Sequence, residues 1–103
     1  MTQLKLSPYL EQQRLEDRFQ VFHADHPDVY DELVNLAYDA LVAGHQRYSI
    51  ATLVEVVRWN RHTSGPDAAG FKINNSYRSR YARLIMEREP ALDGFFETRT
   101  LTT

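Results

Sequence analysis

Apolar residues keep a helical beat through most of this chain. Leu15, Phe19 and Phe22 fall at i, i+4, i+7, with Ser7 and Pro8 placed as a cap and a first helical residue. Leu10 and Val21 lie on a neighbouring face. After Pro27 two stripes run side by side, Val29, Leu33, Leu36, Ala40 and Tyr30, Val34, Tyr38, Leu41. So broad an apolar surface implies neighbours on more than one side. Asp28, Asp31 and Glu32 suit the positive end of that helix, and Gly44 is a left-handed stop. Ser49 then caps a third stripe, Ile50, Leu53, Val54 and Val57, with Val56 and Trp59 facing elsewhere, as if this helix too were sandwiched. Its β-branched residues would suit a strand, but they do not alternate.

"HTSGPDAAG" is turn chemistry, and "FKI" reads as a very short strand. Asn74 or Asn75 caps a fourth helix that Pro90 ends. "GFFETRTL" is either a strand pairing with "FKI" or a tail packing its phenylalanines on the core. The pattern predicts helices near 8–22, 27–43, 49–61 and 75–89. The class is all-α or nearly so, a compact four-helix domain with a short β-ribbon or tail.

The 103 residues make one domain, 1–103, and 43% hydrophobic with 25% charged residues is ordinary for a globular chain. Absence of cysteine excludes disulfides, thiol catalysis and thiolate metal sites. No apolar run has membrane-spanning length and no signal-peptide pattern appears, so the expected location is cytoplasmic, with no membrane partner. Charge changes the picture more. Residues 1–46 carry three Lys/Arg against eight Asp/Glu, and residues 47–86 carry seven against two. A basic block can attract a polyanion locally, or it can pair with the acidic helices inside the fold.

The basic block is densest in "FKINNSYRSRYARLIM". On a helical wheel Tyr77, Tyr81, Leu84 and Ile85 share the buried side; Ser76, Ser79, Arg80 and Arg83 gather opposite, with Arg78 at the edge. Arginine forks and short hydroxyl and amide donors are the mixture that phosphate contacts use, and Asn74 and Asn75 stand at the helix start. Arg58, Arg61, His62 and Lys72 flank the preceding loop and extend the patch. A capped helix, a turn and a basic helix is the outline of a helix-turn-helix, but the turn from His62 to Ile73 is far longer than the usual three or four residues. The expected nucleic-acid-binding set is Arg58, Arg61, Lys72, Asn74, Asn75, Ser76, Ser79, Arg80 and Arg83, with DNA the first candidate partner.

"GFKINNSYRSRYARLIMEREPALDGFFETR", with "LVEVVRWNRH" before it, resembles a family of small helical proteins encoded by bacteriophages and prophages. The shared features are the Phe-Lys-x-Asn-Asn-x-Tyr segment, the Tyr-Ala-Arg helix, the proline and an FFETR-like ending. The resemblance covers about half the chain. It implies a mobile-element origin and a host-cytoplasmic site of action, and it carries no activity or site residue.

Other constellations give less. His23, Asp25, His26 and Asp28 crowd one junction, but Pro27 interrupts the helical spacing that a metal pair needs. Carboxylates are plentiful without a sign of burial, and no nucleophile elbow, phosphate loop or dinucleotide fingerprint occurs. The expectation is a protein that is not an enzyme and needs no cofactor or metal. Most aromatic residues sit on core stripes; Tyr48 and Phe71, beside the basic loop, are the two placed for base stacking. The rival function is protein interaction through the acidic first half, with a host protein or a second copy as partner and no nucleic-acid contact.

Overall fold

Pro27 occupies the first position of a helix, where its missing N–H removes no hydrogen bond, and His26 before it takes the cap position without a side-chain cap. That proline separates α1 (Ser7–Asp25) from α2 (Pro27–Val42) in a computed structural model describing residues 7–64 and 71–97. Gly44, at φ 106°, closes α2 in the conformation a side chain resists. α3 (Ile50–Ser64) begins after Ser49, whose hydroxyl accepts the Thr52 N–H at 3.3 Å. A 3-10 turn, Asn75–Tyr77, leads into α4 (Arg78–Arg88), and a second, Pro90–Leu92, follows it. Asn74 caps the first turn by accepting the Ser76 N–H at 2.8 Å. The four expected helices are present, each within about three residues of its predicted bounds.

One core joins them. Val29, Tyr30, Leu33 and Ala37 of α2, Ile50, Leu53, Val54 and Val57 of α3, and Tyr81, Ala82 and Ile85 of α4 are buried. Leu36 and Leu84, expected in the same core, are half-buried at its margin. α1 commits less: among its described side chains only Phe19 is buried, with Leu15 and Phe22 packed beside it. Phe19 meets Tyr81 edge-on, ring centroids 4.8 Å apart, and Tyr77 at 5.5 Å. Leu10 and Val21 of α1 are exposed.

Two expectations fail. The "FKI" strand does not form and does not pair with the tail. Phe71 and Ile73 are buried, and the Ile73 carbonyl accepts from Arg58 rather than from a strand neighbour. The tail instead crosses to the segment before α3, in a single parallel bridge between Tyr48 and Phe96, with the Tyr48 N–H donating to the Phe95 carbonyl at 3.1 Å. Gly94, at φ 73°, turns the chain there, and Leu92, Phe95 and Phe96 fill the core. The packed-tail alternative therefore holds for residues through 97, and 98–103 lie outside the described residues. α3 does pack between α2 and α4, with Val56 half-buried, but the side bearing Trp59 finds no neighbour among the described residues and Trp59 is 68% exposed. Among the described residues no helix is long and apolar enough to cross a membrane.

Candidate nucleic-acid interface

Three of the expected phosphate-binding cations spend their donors inside the fold. Arg58, nearly two turns from the end of α3, donates to the Ile73 carbonyl at 2.6 Å and the Asn75 amide oxygen at 2.5 Å, and it pairs with Glu55. This one fork fixes the extended segment that delivers the chain to α4. Arg61 pairs with Asp28 at 2.7 Å and Glu32 at 3.5 Å, both on α2, with its guanidinium 5.0 Å over the Phe71 ring. Burial works to raise the Asp28 pKa, but the Arg61 bond and charge outweigh it and hold the carboxyl below its ordinary value. Arg80 reaches back to α1, 3.0 Å to Glu16 and 3.0 Å to Gln12, with its side chain only 10% exposed. Here the acidic and basic blocks meet as internal partners.

The remaining positions stay outward. Lys72, Asn74, Asn75 and Ser76 are exposed, and Ser79 and Arg83 half-buried. Asn74 and Asn75 serve as cap and as acceptor for Arg58, which leaves their amide N–H groups for a partner. Among the described residues Lys72 and Arg83 enter no ion pair.

A cleft of about 760 Å³ opens where the start of α3 faces the start of α4. Arg47, Tyr48 and Ser49 line it from the segment before α3, Ser76, Arg78 and Ser79 from the start of α4, and Glu97 from the tail. The start of α3 carries N–H groups without an intrahelical acceptor, which adds positive potential to that of the arginines, whereas the 3-10 turn before α4 already accepts the Tyr77 and Arg78 N–H groups. Arg78 gives its Nε–H to the Asn75 carbonyl at 3.1 Å, and this directs the guanidinium while leaving its terminal nitrogens. Among the described residues Arg47 and Glu97 have neither an ion-pair nor a side-chain hydrogen-bond partner. The Tyr48–Phe96 bridge holds both Arg47 and Glu97 beside the cleft, each one residue from a pinned neighbour. Helical periodicity finds Arg78 only as an edge residue and passes over Arg47 and Glu97, which lie outside the helices. The available signal was a cation two residues before a serine cap.

No family model, curated protein or solved structure matches this chain.

The two aromatic candidates part company. Phe71 is 6% exposed beneath Arg61, whereas Tyr48 is half-buried and lines the cleft. The histidine junction also comes apart. His26 packs against Phe22 and Phe71, and His23 turns inward toward Tyr30 and Tyr81. His23 Nδ1, Tyr30 Oη and Tyr81 Oη are buried there without a hydrogen-bond partner among the described residues. Burial chiefly, then the Arg88 charge, lowers the His23 pKa, against an opposing pull from Asp31. Burial pushes the Tyr81 hydroxyl upward, with Tyr77 and Asp28 adding to it. Together they form a polar knot at the α1–α2–α4 junction in which burial disfavours the charged form of each group.

Proposed function

We propose that this chain binds nucleic acid at the α3–α4 cleft, as a small accessory or regulatory protein of bacteriophage type. The observation that carries the reading is the meeting of Arg47 and Arg78 at two capped helix starts, with Ser49, Ser76 and Ser79 beside them. Phosphate oxygens are recognised by such forks, hydroxyls and free backbone N–H groups. The helix-turn-helix likeness extends only to the succession of a capped helix and a basic one, because residues 65–74 intervene.

Arg47→Glu with Arg78→Glu tests the reading. Fluorescence anisotropy with labelled duplex and single-stranded DNA at low salt should show binding by the parent chain and none by the double variant, at unchanged circular dichroism. A folded parent that binds neither form removes the proposal. Arg80→Glu is unsuitable for this purpose, since it also detaches Glu16 and Gln12 of α1.

The second reading is a protein-interaction module acting on a host factor. Trp59, 68% exposed on the outer face of α3, favours it, because tryptophan is enriched at the centre of protein interfaces. Under that reading Trp59→Ala abolishes partner capture, while the cleft variant leaves it intact.

A further inference from the structure

The charges around the cleft do not match a phosphate alone. Arg47 and Arg78 favour an anion, but Glu97 lines the same space and repels one. An occupant that satisfies all three groups carries both a phosphate and hydrogen-bond donors. The volume of about 760 Å³ also exceeds what a lone oxyanion fills, and it lies in the range of roughly 300–1,000 Å³ usual for small-ligand sites. Tyr48, half-buried on the cleft wall, adds an aromatic surface on which a base can stack.

The geometry points to one guanine nucleotide of a single strand as the occupant of this cleft, an inference that rests on the nucleic-acid reading above. Arg47 and Arg78 hold its phosphate, and the Glu97 carboxylate accepts from its base. Guanine presents two adjacent donors, N1–H and the N2 amino group, in the parallel arrangement that both oxygens of a carboxylate can accept at once. Cytosine and adenine each offer one amino group on that edge beside a ring acceptor. Thymine offers one N–H between two carbonyls, which face the carboxylate oxygens unfavourably. Single-stranded sites expose these edges, whereas a duplex covers them. Glu97 therefore selects among bases, and the arginines supply affinity without selection.

The test uses the whole chain and labelled oligothymidylates that differ at one central position, guanine, cytosine or thymine. The expected order is guanine, cytosine, thymine, with guanine bound about tenfold more tightly than thymine, the scale of one good bidentate base contact. Glu97→Gln, a nearly isosteric change at an exposed position, should erase the preference while keeping or raising affinity for the all-thymine strand, because it removes a repulsive charge. Equal affinity for the three strands in the parent chain overturns the inference and leaves the proposed function standing. A guanine preference that survives in Glu97→Gln overturns the assignment to Glu97. No binding to any of the three strands overturns the inference, and it overturns the proposed function too when the folded chain also fails to bind duplex DNA.

Discussion

Arg58 Nη2 serves two acceptors at once, the Ile73 carbonyl and the Asn75 amide oxygen. Both belong to the segment that positions α4, so removing the fork frees that segment rather than a ligand. Arg58→Ala should destabilise the protein by about 1.5–3 kcal/mol, the scale of charge-assisted hydrogen bonds, read from the urea midpoint. Arg58→Lys should restore little, because an ammonium lacks the planar pair of donors. His23 makes a different forecast. Its pKa in the folded state lies below 6.5, chiefly through burial and then Arg88. In the window between the two values the unfolded chain binds more protons, so stability rises with pH. The contribution is fully present above the unfolded value and is lost as pH falls through the folded one. Urea midpoints should therefore drop from about pH 7.5 to about pH 5.5, and His23→Phe should flatten that slope. A slope unchanged in the variant would assign the dependence to other groups.

Periodic elements were legible in the sequence because their cause is local. The Ile50, Leu53, Val54, Val57 stripe is buried as spaced, and the stops at Gly44 and Pro90 fall where their backbone preferences put them. Leu53→Ala should cost about 2–5 kcal/mol through the cavity it leaves, and Leu84→Ala distinctly less, since Leu84 keeps partial solvent contact. Similar midpoint losses in the two variants would contradict the difference in burial. What the pattern missed depends on pairs distant in sequence. Nothing near Arg80 announces Glu16, and nothing near Phe96 announces Tyr48. A wheel sorts residues into inner and outer faces, but it does not reveal that Arg61 and Arg80, outside the apolar core, already have carboxylate partners.

For the molecule as a whole, internal pairing sets how much charge remains for a polyanion. If every one of the seven Lys/Arg in residues 47–86 met a phosphate, single-strand affinity would fall with salt at a log–log slope of about −5, at roughly −0.7 per contact. With Arg58, Arg61 and Arg80 committed, contacts confined to Arg47 and Arg78 give about −1.4, and adding Lys72 and Arg83 gives about −2.8. A titration across salt should fall between the last two values. A slope near −5 would mean that the internal pairs open on binding. Those pairs also bind the acidic half to the basic half. A double-mutant cycle on Glu16 and Arg80 should return a coupling of about 1 kcal/mol or less, because Glu16 is still 43% exposed.

The bridge from Tyr48 to Phe96 has a consequence in time. α1 to α3 and the core stripes they bring together are complete in sequence long before Phe96 is made. The cleft is not, because its Arg47 wall is pinned by residues from the far end of the described chain. During synthesis a nascent chain can gather α1 to α3 while the walls of this cleft stay unassembled. If the cleft takes up a strand as proposed, that competence arrives only once Phe96 has joined Tyr48, and a copy made no further than α4 lacks the geometry to compete for the ligand.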